Sequence, residues 1–512
     1  MPVPPTRTAM RTPILLALLL STACGTVAAS CRVGRVVDTG GEGIASIRVS
    51  DGRQLVATGV DGRFAFAAPP QAPVFVIKPA GHAVPAGSNG LPDFWRRPDA
   101  ADCTFVLRAE PVTRDALEVL VFSDPQTSDL REVGYYRDDV VAPLAGRHTA
   151  ALGVTLGDVA NDDLTLYPAI NAVTARLGVP WLHVAGNHDL DAGTDATSLH
   201  SFQAIYGPDT FAWEEPEAVF VGLDNVIAQP EGRPGHIGGL RPDQFEFLEA
   251  YLPTVAHDRL LVLSMHVPLF DAPAGRETFR AGDRQRLYGL LATHPRVLVL
   301  SGHRHTLQHV FHNAADGWPG REPLHEFNVG AVSGAFWSGA PDAAGIPDAT
   351  MAEGTPNGHA TLVVRAGGDY ALAWHPARLD AADDATTAAM ALHAPRRLRR
   401  GAYPAWGVYA NVYMGLPETR VEFRVGGGDW QPMRRIEAPD PRLTAENARD
   451  DLADALRGRD RSPEAVPSTH LWRGALPTDL PAGMHRVEVR AFDRWQGKQR
   501  ASTTYSLEEW VD

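Results

Sequence analysis

Positive charge is in deficit in this chain: 47 Lys and Arg face 61 Asp and Glu, a formal net charge of −14. Phosphate backbones select a basic face, so this balance argues against a nucleic-acid partner. It leaves room for a small phosphorylated ligand, which a local metal site can hold against the overall charge. Long apolar runs are missing too. After the first thirty residues no stretch is long and apolar enough to span a membrane, and no transmembrane segment is expected in the mature chain. Cysteine is scarce, with three in 512 residues. Residues 31–110 hold no cluster of His, Asp or Glu suited to chemistry, so the reaction centre has to be sought further along.

What is present fits a soluble globular protein, 44% hydrophobic and 21% charged, and long enough for two to four domains. The N-terminus differs from the rest. Arg7 and Arg11 precede the apolar run "ILLALLLSTA", and "TVAAS" follows, with Val27 and Ala29 in the small-residue pattern of a signal peptidase site. Residues 1–29 therefore read as a secretory signal, and the mature chain is expected to start near Ser30 and to be periplasmic or extracellular. "LSTAC" loosely resembles a lipoprotein box, which offers lipidation of Cys24 as the alternative, although Ser21 stands where leucine is usual. Cleavage after Ala29 would leave Cys31 and Cys103. A disulfide and a pair of free thiols both remain open for them, and an oxidising compartment favours the bridge.

Residues 30–112 alternate short β-branched runs with the turns "DTGG", "SDGR" and "VDGR", the pattern of a small β-sandwich with Trp95 as a packing residue. From residue 113 to 378 the pattern changes. "LEVLVFSDPQ", "HTAALGVTLGDVANDD" and "VPWLHVAGNHD" are apolar runs that end on polar residues, and helical spacing fills the gaps between them. "AVFVGLD", "RLLVLSMHVPLF" and "RVLVLSGHRH" follow, with a helical "RQRLYGLLATH" before the last. Strands alternating with helices indicate an α/β layout, in which ligands gather at the strand ends. Residues 379–401 read as a linker whose Arg396, Arg397, Arg399 and Arg400 form a solvated edge. Residues 402–512 read as a second β-rich domain with an irregular insert near 440–470.

The strand ends carry Asp124 and Gln126 in "SDPQ", Asp158 in "GDVANDD", Asn187, His188 and Asp189 in "GNHD", His266 in "SMHVP", and His303 and His305 in "SGHRH". One such pair is a weak signal. Five in this order, each closing an apolar run, are a strong one. Oxygen and imidazole donors together suit a borderline divalent metal, and one carboxylate can bridge two ions that hold a hydroxide for attack on phosphorus.

With these motifs, residues 117 to about 370 resemble the calcineurin-like metallophosphoesterases. The whole mature chain resembles their three-part bacterial form, including "TPNGHATLVV", "VYANVYM" and "PSTHLWRGALP" near the C-terminus. The resemblance implies an α/β fold: a central αββα-type sandwich flanked by an N-terminal and a C-terminal β-sandwich. It implies an exported phosphoesterase with two divalent ions, for which Mn, Fe, Zn and Ni are all suitable. The substrate would be a phosphorylated small molecule or an envelope compound. Position by position, Asp158 would bridge the metals, Asp124 and His305 would bind the first, and Asn187, His266 and His303 the second. His188 would be the general acid for the leaving oxygen, oriented by Asp189. Gln126 stands where the family usually has His, and an amide oxygen is the weaker ligand, so the first metal site is expected to be weak.

Phe336 and Trp337 in "GAVSGAFWSG" and Asn357 in "TPNGH" are candidate substrate-binding residues. His183 is expected to be a buried, hydrogen-bonded core residue, His309 and His312 surface or strand residues, and Arg304 to point away from its two neighbouring ligands. The alternative function is an envelope binding or structural module with a vestigial metal site; Gln126 leans that way, and His188, which no purely structural metal needs, leans against it.

Overall fold

In the computed structural model, alternate residues of the strand Ala116–Phe122 (β1) enter two different cores. Leu117, Val119 and Val121 face one way and Leu120 and Phe122 the other, as the two-residue period of a strand requires. The structure describes residues 1–2, 31–111, 113–191, 198–229, 235–272, 275–379, 383–403 and 406–510. The expected signal cleavage site, Cys24 and Ser30 lie outside the described residues.

β1 pairs in parallel with Leu152–Leu156 (β2), and β2 in parallel with Trp181–Val184 (β3). The segment after β1 is helical as its spacing predicts. Asp129 caps Leu130–Tyr135 by accepting from the backbone of Arg131 and Glu132, and a π-helical turn, Tyr136–Val141, continues it. The helix Tyr167–Thr174 lies between β2 and β3. Val140, Ile170 and Val173 from these helices close over Leu120, Phe122 and Trp181.

A second sheet is built from Thr210–Glu214 (β4), Ala218–Leu223 (β5), Leu260–Ser264 (β6), Val297–Ser301 (β7), Gln308–His312 (β8) and Leu324–Asn328 (β9), in the order β4-β5-β6-β7-β9-β8. β5, β6, β7 and β9 run parallel; the edge strands are antiparallel. Gly358–Arg365 (β10) and Tyr370–Pro376 (β11) then return to the first sheet, giving β3-β2-β1-β10-β11. Val119, Val154 and Val184 from one sheet share a core with Val221, Leu263 and Leu300 from the other. Phe247, Leu248 and Leu287, from the helices Pro242–Tyr251 and Ala281–Leu291, join the same core. The result is two layered sheets with helices outside, the sandwich that the resemblance implies.

The N-terminal residues form a three-stranded and a four-stranded sheet tied by the Cys31–Cys103 disulfide, whose Cα atoms are 5.3 Å apart. They abut the β4 edge: Phe94 meets Phe211 and Trp213 edge-on, and Lys78 pairs with the buried Glu215. Trp95 packs as expected, its ring so close to Gly207 that a Cβ there would stand 2.5 Å from it. In the C-terminal part a four-stranded and a five-stranded sheet enclose one core containing Val408, Trp472, Val489 and Tyr505. Met390–His393 and Arg397–Arg399, inside the stretch read as a linker, are strands of these two sheets. The expected irregular insert starts as a helix, Pro441–Asp451, capped by Asp440. Among the described residues no helix is long and apolar enough to cross a membrane.

Candidate metal centre

Parallel strands deliver their terminal loops to one edge of a sheet. β1, β2 and β3 thus present Asp124, Asp158 and Asn187–Asp189 together, and β6 and β7 present His266 and His303–His305. The chain turns sharply at these ends. φ is +50° at Asp124, +42° at Gln126, +49° at Asp158, +72° at His303 and +50° at His305. Left-handed backbone at a residue with a side chain costs on the order of 1–3 kcal/mol and gathers at functional sites. Gly157, at φ +91°, shows how close the loops come: a Cβ there would lie 2.5 Å from His266 Nδ1.

His266 is fully buried, and its Nδ1 lies 2.8 Å from the Leu156 carbonyl, so Nδ1 carries the proton and donates. Its other nitrogen, Nε2, lies 3.2 Å from Asp158 Oδ2, 3.1 Å from Asn187 Oδ1 and 3.2 Å from His303 Nδ1. Atoms able to ligate a metal therefore converge from four residues on one small volume. Asp158, His266 and His303 bring one donor atom each within 4.8 Å of one another. With only protein around it, His266 is caught between burial, which opposes its charge, and the Asp158 carboxylate, which outweighs burial and pushes it up to about 9. Burial, with His266 beside it, pushes His303 down to about 3.

The second group repeats the pattern. His305 Nδ1 donates to the Gly334 carbonyl at 2.6 Å, and its Nε2 lies 3.5 Å from Asp124 Oδ1. Burial opposes the charge on His305, and the Asp124 carboxylate outweighs it, so its pKa is raised. Asp124 is buried and accepts from the His303 amide at 3.1 Å and from the Ser123 hydroxyl. Gln126 is buried here too. Its Nε2 is 3.4 Å from Asp158 Oδ2, and its Oε1 has no hydrogen-bond partner among the described residues.

His188 and Asp189 part company. The His188 amide donates to Asp158 Oδ1 at 2.8 Å, and its ring Nδ1 lies 2.9 Å from Asp162 Oδ1. The Asp189 carboxylate, expected to orient His188, does not do so. It is fully buried and accepts from the backbone amides of Gly186 and Val159 and from the Tyr167 hydroxyl, at 2.8, 3.1 and 2.9 Å. Burial and the nearby Asp158 push it up to about 7. It ties the "GDVA" loop to the "GNHD" loop. The orienting carboxylate is Asp162, which sequence reasoning missed although "GDVANDD" contains it.

The substrate candidates separate likewise. Phe336 is half exposed, and its ring stacks on His305 with centroids 4.5 Å apart. Trp337 is buried, and its Nε1 donates to the Pro125 carbonyl at 3.0 Å, bracing "SDPQ" from behind. Asn357 is buried and donates to Asp139 and to the Val332 carbonyl, so it braces the fold instead of facing the metal centre. His183 is buried, but neither ring nitrogen has a hydrogen-bond partner among the described residues, and burial pushes it down to about 3. His309 and His312 lie on β8 as expected, with His312 buried and paired to Glu326 at 2.7 Å. Arg304, expected to point away, borders a cavity of about 470 Å³ together with His303, His305 and Phe336. His236, which the sequence did not single out, is set edge-on against His303 with centroids 5.3 Å apart.

Family comparison places both ends of this chain. The N-terminal part of the calcineurin-like phosphoesterases matches residues 32–109, and their C-terminal part matches residues 326–499. The chain belongs to the calcineurin-like phosphoesterase family and is a phosphate-ester hydrolase. A comparison with curated proteins found no match. Among solved structures, a dimetal phosphatase from Danio rerio is similar at 16% identity and a TM-score of 0.34, over 51% of this chain and 99% of that one. A purple acid phosphatase from yellow lupin, Lupinus luteus, shares 13% identity at a TM-score of 0.39, over 65% and 67%. PhoD shares 12% at 0.36, over 91% and 88%. At such scores these likenesses say nothing about the chemistry of this chain.

Proposed function

We propose that the chain is an exported phosphoesterase that works with two divalent metal ions, and that the strand-end cluster holds them. The observation that carries this is the convergence of Asp158, Asn187 and His303 on His266 Nε2, which brings four side-chain atoms able to ligate a metal to one buried point. A cation satisfies that arrangement. Both buried imidazoles with a proton on Nδ1 give it to a backbone carbonyl, which turns Nε2 inward, the usual way a protein orients a histidine ligand. The unpartnered Oε1 of Gln126 is one more buried oxygen available to a cation. On this reading Asp124, Gln126 and His305 would hold one ion and Asn187, His266 and His303 the other, with the Asp158 carboxylate shared between the two sets. Mn, Fe, Zn and Ni all suit this mixed nitrogen and oxygen set.

Bound there, the ions supply Lewis-acid charge and acidified water for hydrolysis of a phosphate ester. The residues of the chain do the rest. His188, the one histidine of the cluster with a carboxylate outside the metal set, is held at Nδ1 by Asp162 and delivers a proton to the leaving oxygen. Asp189 fixes the two loops whose spacing that transfer needs. Export is supported by the Cys31–Cys103 bridge, which belongs to an oxidising compartment. We read the chain in three parts, 30–112, 113–378 and 402–512, and count the strands within 379–401 with the last part because they complete its sheets.

The test is hydrolysis of 4-nitrophenyl phosphate with Mn added and then with chelator, together with metal analysis of Asp158→Asn. The amide cannot bridge two cations, so metal and activity should be lost together. Full metal occupancy in this variant would overturn the bridging role.

A further inference from the structure

The cavity beside the metal centre has an unexpected far wall. One side is His303, Arg304, His305 and Phe336; the other is the loop 460–464, which comes from the C-terminal part more than a hundred residues along the chain. This loop is docked firmly. Arg459 pairs with Asp129 and Glu132 at 3.0 and 3.3 Å, the Gly339 amide donates to the Asp460 carbonyl at 3.2 Å, and the Val466 amide donates to the Ala352 carbonyl at 2.9 Å. A cavity of about 470 Å³ is large enough for a leaving group as well as a phosphate.

Its lining is selective. Phe336 offers a half-exposed ring that His305 already backs by stacking. Arg304 lies over the Phe270 ring at 5.9 Å; among the described residues its buried Nε has no hydrogen-bond partner and no carboxylate acts on it. Arg461, across the cavity, is already held by Asp451 at 2.7 Å. The loop acids Asp460 and Glu464 are exposed, where solvent screens them. Arg304 is thus the cation in this wall that still lacks an anion. A partly buried guanidinium with no carboxylate beside it is open to an anion, and a carboxylate or second phosphate on the substrate would pair with it.

We propose that the leaving group of the substrate occupies this cavity, with a flat apolar ring against Phe336 and an anionic substituent paired to Arg304, and that the loop 460–464 closes the pocket. The C-terminal part is then a specificity element. This rests on the phosphoesterase reading above.

The experiment compares ethyl phosphate, phenyl phosphate and 4-carboxyphenyl phosphate, with Arg304→Ala, Arg304→Gln and Phe336→Ala beside the unaltered enzyme. Calorimetric binding of the non-hydrolysable 4-carboxyphenylphosphonate gives a readout independent of turnover. Both Arg304 variants should raise KM for the carboxylated ester roughly tenfold more than for phenyl phosphate, about the worth of one charge-assisted contact. They should weaken phosphonate binding by a similar factor. Phe336→Ala should raise KM for both aryl esters relative to ethyl phosphate. Equal effects of the Arg304 variants on all three esters would overturn the proposal while leaving the phosphoesterase standing. Arg304-dependent binding of the phosphonate without hydrolysis of any ester would instead sink the phosphoesterase reading.

Discussion

The ring of His188 leans on Asp162, 2.9 Å away, and not on its neighbour in the chain, Asp189. The two carboxylates have different work. Asp189 is buried among backbone amides and cannot turn without breaking the loops it joins. Asp162 is exposed, and its carboxylate lies against the His188 ring. If His188 is the general acid proposed above, a ring held from the solvent side can lose and regain its proton between turnovers.

A prediction about leaving groups follows from that pair. General acid catalysis contributes about 10²–10⁴-fold. His188→Ala should therefore slow alkyl phosphates by that order and 4-nitrophenyl phosphate far less, because nitrophenolate leaves without a proton. Asp162→Ala should show the same selectivity at smaller size, about tenfold, since the ring remains and only its orientation is lost. The kcat values for both esters decide it; equal losses for the two would assign His188 another role.

Much of this was legible in the chain itself. Apolar runs closing on Gly-Asp, Gly-Asn-His-Asp and Gly-His-Arg-His announce strand ends that carry donors, because parallel strands put such ends on one side. What was not legible depends on directions that spacing does not encode. Phe336 and Trp337 are adjacent and both sit at positive φ, +55° and +53°, yet one faces the cavity and the other the core. Asp162, at φ +66°, is aimed by a turn and not by a strand. The loop 460–464 reaches the site through tertiary docking, which no local pattern records. The stretch 379–401 reads as a linker because its Ala/Asp tract is polar, but its strands are short sheet edges: Met390–His393 pairs with residues 409–412, and Arg397–Arg399 with residues 506–508, more than a hundred positions on.

The Cys31–Cys103 bridge closes a loop of sequence separation 72. In the chain-entropy model that is worth about 4 kcal/mol. Urea unfolding with and without reductant should differ by about that amount, or somewhat less where the reduced unfolded chain keeps structure. Two alkylatable thiols in the unreduced protein would show the pair to be free.

Glu353 makes stability depend on pH. It is buried where the central sheets meet the C-terminal part, and its Oε1 accepts from the Leu307 amide at 3.1 Å. Burial pushes its pKa from 4.5 up to about 7, and Asp440 adds to the rise. The folded chain then holds this proton more tightly than the unfolded one. The contribution is fully present below pH 4.5 and is lost as pH rises through about 7. The neighbouring His470 acts in the opposite sense, since burial pushes it from 6.5 down to about 4. Glu353→Gln removes the first effect and keeps the second. Relative to the parent, it should gain stability steadily between pH 4.5 and 7, by at most about 3 kcal/mol. Urea midpoints at several pH values test this, and a difference that stays constant with pH would refute it.

The last prediction concerns Gln126, the residue that departs from the family's usual histidine. Its amide sits inside the cluster, 3.4 Å from Asp158 Oδ2, so it is placed to act on the metal that Asp124 and His305 would hold. An amide oxygen is a weaker donor than an imidazole. The site around His266 keeps two imidazoles, Asn187 and the shared Asp158, and should fill first; the Gln126 site should fill only as metal concentration rises. Activity should then climb with added Mn after the tighter site is saturated. Gln126→His should move that climb to lower Mn, by about tenfold or more if the ring fits the buried space. Metal titrations of activity for both proteins, with bound metal counted at each point, give the answer. Superimposed curves would mean that Gln126 does not touch the metal, and that the unpartnered Oε1 must be accounted for by something other than a cation.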